Sequence, residues 1–206
     1  MTSEQQTIFF NVFNDCVGFC DIQKIQGMSN FIQTRNLKTY VEIGVYGGKS
    51  LLPNAYVMKT LGPGFLAIGI DPWTVEDAMQ TLQDEATTTR INEGTKTIDF
   101  DQVYNNVVSI INKYDMQDYC KLIRKKSSDA ISEIDTIDLL HIDGNHGTQA
   151  VIEDFEKYFP KIRSGGLIWF DDVHHTWPTV VAATEHIKKY CPVVEHVGAQ
   201  LVLEKP

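Results

Sequence analysis

Residues 41–50, Val41-Glu42-Ile43-Gly44-Val45-Tyr46-Gly47-Gly48-Lys49-Ser50, read as an apolar strand, a glycine turn and the start of a helix. Gly44, Gly47 and Gly48 let the backbone bend tightly and approach a ligand closely. The helix that follows presents free N–H groups to that ligand. In α/β proteins this is how a nucleotide-like group is held at the end of a sheet. The spacing is Glu-x-Gly-x-x-x-Gly (Glu42, Gly44, Gly48), neither Gly-x-Gly-x-x-Gly nor the P-loop. That turns the reading away from NAD and ATP.

Strands and helices alternate outward from this stretch. Tyr40–Gly44 reads as strand one and Ser50–Leu61 as its helix. Phe65–Asp71, Lys121–Arg124, Ile137–Asp143 and Gly166–Phe170 read as strands two to five, with helices over 148–158 and 180–190. Val193–Val197 and Gln200–Glu204 flank Gly198-Ala199 as a closing hairpin. Residues 4–20 and 27–36 read as N-terminal helices, since Ile8, Phe9, Val12, Phe13 and Val17 recur at helical spacing. The expectation is an α/β fold: a mostly parallel sheet of seven strands with helices on both faces. Residues 72–98 break the rhythm. They read either as a solvent-exposed insertion or as a lid over the sheet's carboxyl edge.

The chain has 206 residues, enough for a substantial core in one domain, 1–206, with 1–38 as a helical extension. Its formal charge of −9 and its balance of 18 basic against 27 acidic residues argue against a nucleic-acid partner. Met1 to Gln23 holds no Lys or Arg, so no basic leader region is read there. The apolar runs are too short to span a bilayer. Cys16, Cys20, Cys120 and Cys191 show no zinc spacing and read as free thiols of a cytoplasmic protein. On a helix, Cys16 and Cys20 would share a face.

Asp71 ends strand two, where a lone carboxylate can accept hydrogen bonds from a ribose diol. Glu42 interrupts an apolar strand and needs a partner, supplied by a cationic cofactor or by amides of the glycine loop. Strand four runs into Asp143-Gly144-Asn145-His146, and strand five ends in Asp171-Asp172. These strands are expected to be neighbours, so Asp143, Asp171 and Asp172 would converge at the carboxyl edge. Three such carboxylates repel unless a cation is present. Oxygen-only ligation suits a hard divalent ion such as Mg²⁺. The plainer alternative is that some of them cap the next helices. His141, inside strand four, reads as a packed core histidine. Trp73 and Trp177 read as core or as an apolar substrate wall.

With these motifs in place, the chain resembles class I S-adenosylmethionine (SAM)-dependent methyltransferases, over roughly Tyr40–Val173 and the closing hairpin. Val41–Ser50 is similar to the first motif of the catechol O-methyltransferase-like group. The acidic pair at Asp171-Asp172 is closer to macrolide-sugar O-methyltransferases and the cephalosporin-hydroxylase-like group. The resemblance implies a Rossmann-like, doubly wound sheet. It implies that Glu42 belongs to the cofactor motif, that Gly44 and Gly48 line the methionine end, that Ser50 helps bind the methionine carboxylate and that Asp71 holds the ribose. It places Ser128 at the adenine, with Ser127 and Asp129 as alternatives. It also implies Asp143, Asp171 and Asp172 as metal ligands and His146, three residues after Asp143, as general base.

The mechanism expected is O-methylation of a small diol-bearing molecule. A divalent ion lowers the pKa of a bound hydroxyl. An imidazole, with a reference pKa near ~6.5, takes the proton at neutral pH. The alternatives are a metal-independent methyltransferase and a SAM-fold protein without activity. The methyl acceptor is not legible, and the sequence leaves a homo-oligomer open.

Overall fold

The computed structural model describes residues 1–82 and 84–206. Gln83, inside the 72–98 segment, lies outside the described residues. A seven-stranded sheet forms the centre: β1 (Thr39–Ile43), β2 (Leu66–Ile70), β3 (Cys120–Ile123), β4 (Ile137–Ile142), β5 (Ile162–Phe170), β6 (Val193–Val197) and β7 (Gln200–Glu204). Their spatial order is 3-2-1-4-5-7-6. The first five run parallel, and β7 pairs antiparallel with both β5 and β6. The order reverses at β1, which opens a crevice at the carboxyl ends of β1 and β4.

Helices α1 (Ser3–Asp15), α2 (Ile22–Thr34), α3 (Leu51–Leu61), α4 (Val75–Ala78), α5 (Glu85–Thr95), α6 (Phe100–Lys113), α7 (Ser127–Ala130), α8 (Thr148–Tyr158) and α9 (Pro178–Ile187) complete the chain. α1, α2, α3 and α6 bury Phe9, Ile25, Leu51 and Val107 against one sheet face, which includes Tyr40, Leu139 and Trp169. α7, α8 and α9 bury Ala130, Phe155 and Ile187 against the other, with Val41, Leu140 and Ile168. Each large apolar side chain taken from water contributes about 1.5–3 kcal/mol.

Several boundaries differ from those read in the sequence. The first helix ends at Asp15, and Asp21 caps the second through the Lys24 amide. Gly18 (φ +136°) turns the chain between them, and Val17 bridges to Gly48. Cys16 and Cys20 therefore sit in a turn and share no helix face. All four cysteines are free. β5 begins four residues earlier than expected, at Ile162, and α9 begins at Pro178, where a missing N–H costs nothing. α6, unread in the sequence, is strongly amphipathic, with Val107, Ile110 and Ile111 inward. Among the described residues, no helix is long and apolar enough to cross a membrane.

Sheet periodicity sets the polar positions. Successive side chains alternate faces. Glu42 therefore follows Tyr40, His141 follows Leu139 and Asp171 follows Trp169 onto the α2 side. Register aligns Glu42, His141 and Trp169 in one row across β1, β4 and β5.

Candidate active site

A cavity of about 900 Å³ opens at the carboxyl ends of β1, β2, β4 and β5. That is the size of a small-molecule site. Gly44 (φ +87°) turns the chain into it, and a Cβ there would overlap the Asp143 carbonyl. Gly47 is pressed against Val17, while Gly48 (φ +79°) lies behind the cavity wall, beside Leu52.

Asp71 holds the shape of this loop. Its Oδ2 accepts the Val45 and Tyr46 amides at 3.0 and 2.9 Å, and its Oδ1 accepts the Trp73 amide at 2.7 Å. Burial raises its pKa above the ordinary carboxylate value, against the three amides. Each carboxylate oxygen offers two lone-pair sites, so one remains on Oδ1 of this cavity-lining residue.

Glu42 is fully buried and does not line the cavity. Its partners are side chains, not loop amides: Ser50 Oγ donates to it at 2.6 Å, Tyr40 OH donates to it, and His141 Nδ1 lies at 3.2 Å. Ser50 lines the cavity but turns its hydroxyl hydrogen toward Glu42. His141 is buried as expected, yet its ring lies between carboxylates. Its Nε2, which has no hydrogen-bond partner, is 3.7 Å from Asp143 Oδ2 and 4.0 Å from Asp171 Oδ2.

Asp143, Asp171 and Asp172 all line the cavity, but with different partners. Asp143 and Asp171 meet on the α2 side, and a lysine stands between them. Lys24 Nζ donates to Asp143 Oδ2 at 3.2 Å and to Asp171 Oδ2, with 2% of the lysine side chain exposed. Asp171 also accepts the Asp172 amide and Gln200 Nε2, each at 2.9 Å. Burial works to neutralise Lys24, but the charges of Asp143 and Asp171 outweigh it and hold the ammonium protonated. Burial likewise pushes Asp171 upward, and Lys24 and His141 overcome it, leaving its carboxyl well below the usual range. Asp143 is driven well above that range by burial and by the neighbouring Asp171, against the pull of Lys24.

Asp172 turns the other way, in a left-handed backbone conformation (φ +56°) unusual for a residue with a side chain. Its Oδ2 lies 2.7 Å from His146 Nε2, and its Oδ1 3.4 Å from His174 Nε2. Trp177 stacks on the His146 ring at 4.2 Å. Gln80, from the 72–98 segment, accepts the His146 amide at 2.8 Å and approaches Nδ1 at 3.4 Å. That segment thus forms one wall of the cavity, including Ile91 and Thr95 of α5. Trp73, in contrast, is buried core.

Ser127 and Ser128 both line the cavity; Asp129 does not. Ser127 Oγ donates to Asp154 Oδ1 at 2.5 Å. Asp154 was not singled out in the sequence. It sits on the inner face of α8, and burial pushes its carboxyl up to about 6. Its signal was a lone acid among Val151, Phe155 and Tyr158. Lys24 gave the same kind of signal, a charge on the apolar face of Ile25, Met28 and Ile32.

The family described as a methyltransferase domain matches residues 41–173, well over half the chain. The chain belongs to this methyltransferase-domain family. It is 29% identical over 167 residues to an uncharacterized protein of Acanthamoeba polyphaga mimivirus, covering 79% of this chain and 64% of that one. A shorter match, 31% over 74 residues, reaches an uncharacterized protein of Sinorhizobium fredii. This chain's match spans only 8% of that relative. Both fall short of two thirds of the relatives' own length.

Among solved structures, this methyltransferase-domain chain superposes on the O-methyltransferase NovP with a TM-score of 0.70 at 14% identity, covering 89% of this chain and 80% of that one. It superposes on a Bacillus cereus O-methyltransferase in complex with SAH at 0.64 and 13% identity, covering 100% and 92%. TomG of Streptomyces achromogenes, in complex with SAM, gives 0.65 at 12% identity with the same coverage. The chain therefore has the fold of these O-methyltransferase structures.

The donor set bears on a divalent ion. An ion bridging Asp143 and Asp171 would stand against the Lys24 ammonium, with like charges a few ångströms apart. Asp143, His146 and Asp172 also bring one ligand atom each within 4.8 Å of one another, but the His146–Asp172 hydrogen bond spans that group. With Lys24 so placed, the Asp143–Asp171 pair does not fit the ion the sequence suggested.

Proposed function

We propose that this chain, as a single domain over 1–206, transfers the methyl group of SAM to a hydroxyl of a small molecule. The observation that carries this is the His146–Asp172 pair on the wall of a cavity entered over the Gly44 turn. Residues around the cavity fit the cofactor: Gly44 lets the loop pass close against the Asp143 backbone and turn into the cavity, Asp71 keeps one acceptor site for a ribose hydroxyl, and the acidic floor suits a sulfonium cation. Ser127 or Ser128 would contact the adenine, and Ser50 the methionine end.

SAM, when bound, supplies an electrophilic methyl on its sulfonium. His146 receives the proton of the acceptor hydroxyl as a C–O bond forms and the C–S bond breaks. An Nε2–H donated to Asp172 fixes the ring and leaves Nδ1 to receive the proton, after which Nδ1–H can donate to Gln80 Oε1, 3.4 Å away. Trp177 and the 72–98 wall hold the acceptor close and in line. Acceptors to screen first are sugar- and catechol-like diols, then simple alcohols and phenols.

The test is methyl transfer from radiolabelled SAM to such a panel, beside calorimetry with S-adenosylhomocysteine. Product from the wild type and none from His146→Ala supports the assignment. A chain that binds neither form of the cofactor is not this enzyme.

A further inference from the structure

We propose that Lys24 is the resident cation of this centre and that methyl transfer here proceeds without a divalent ion at Asp143 and Asp171. This rests on reading the cavity as a methyl-transfer site.

Lysine is rarely buried unless it is paired. Lys24 also sits in the first turn of α2, where a cation opposes the helix dipole. Neither burial nor helix favours a cation there, so the carboxylates must. Its Nζ reaches an oxygen of each. Those carboxylates line the cavity and Lys24 does not. The ammonium therefore approaches from behind, from the N-terminal helices, and leaves the carboxylates' open edge to the acceptor.

This changes what the acceptor must offer. A metal centre selects vicinal oxygens that chelate. Carboxylates balanced from behind accept hydrogen bonds, so one hydroxyl beside a suitable donor suffices. Lys24 is a positioning residue. It holds Asp143 and Asp171 together and aimed, and does not touch the acceptor.

The test takes the full chain, stripped of metal and saturated with S-adenosylhomocysteine, and titrates Mn²⁺ with electron paramagnetic resonance as readout. The wild type should leave the free-ion signal intact. Lys24→Gln, which removes the charge and keeps a donor, should gain Mn²⁺ binding. Lys24→Arg, which keeps the charge, should remain blind to it. Chelator treatment should leave wild-type turnover unchanged. Stoichiometric Mn²⁺ binding by the wild type, lost in Asp143→Asn, overturns the proposal. So does a folded Lys24→Gln that gains none. Should Lys24→Gln fail to fold, the wild-type titration alone still decides. Failure to bind S-adenosylhomocysteine, read separately by calorimetry, counts against the methyl-transfer reading and leaves the Mn²⁺ answer standing.

Discussion

His146 Nε2 and Asp172 Oδ2 meet at 2.7 Å because Asp172 adopts a left-handed backbone that swings its carboxylate away from Asp171. Two adjacent aspartates thus serve different partners. Asp171 joins the Lys24 centre, and Asp172 orients an imidazole.

On the proposed mechanism, His146→Ala lowers kcat by ~10²–10⁴-fold, the usual worth of a positioned base. Asp172→Asn should lower it less, because the imidazole remains but its orientation is lost. Affinity for S-adenosylhomocysteine should hardly move in either. Steady-state kinetics beside calorimetry checks both halves.

Glu42 is predicted to matter for folding before it matters for catalysis. Removing its carboxylate strands the Ser50 and Tyr40 hydroxyls and one side of His141 in a dry interior. Glu42→Ala should cost about 2–4 kcal/mol, and Glu42→Gln less, since it keeps an acceptor. Urea unfolding measures the difference.

Asp154 gives a pH signature. Its folded pKa, about 6, lies above its ordinary 3.8, so the folded state keeps a proton that the unfolded state releases. Stability should therefore fall as pH rises from about 4 through 6, then level off. Asp154→Asn has no such proton to lose. Relative to wild type it should gain on the order of 2–3 kcal/mol across that window. Denaturation at pH 4 and pH 7 reads the change, and equal differences at both would contradict it.

Phe19 stands 98% exposed on the rim of the cavity. An apolar ring left in water there is placed to cover an acceptor. Phe19→Ser should raise the acceptor KM while leaving cofactor affinity and unfolding midpoint unchanged. An unmoved KM would assign Phe19 no part in acceptor binding.

Much of this was legible in the chain. The glycine turn, five strands and the closing hairpin follow from local composition and period, and the doubly wound order from the family resemblance. Lys24 was not, because its partners lie 119 and 147 residues away and only the folded sheet brings them to α2. The three carboxylates reach one cavity but take different partners for a local reason. Period two sends neighbouring Asp171 and Asp172 to different sides, and a positive φ completes the turn. Glu42 was noticed as a buried acid. Its partners come from one strand away (His141), from the same strand (Tyr40) and from the next helix (Ser50), and only strand register reveals the first.

The central claim is that this cavity holds SAM for methyl transfer. Calorimetric titration of S-adenosylhomocysteine tests it without knowledge of the acceptor. The account predicts one-to-one binding by the wild type, strongly weakened in Gly44→Ala, whose Cβ would meet the Asp143 carbonyl. A folded wild type that takes up no S-adenosylhomocysteine would contradict it.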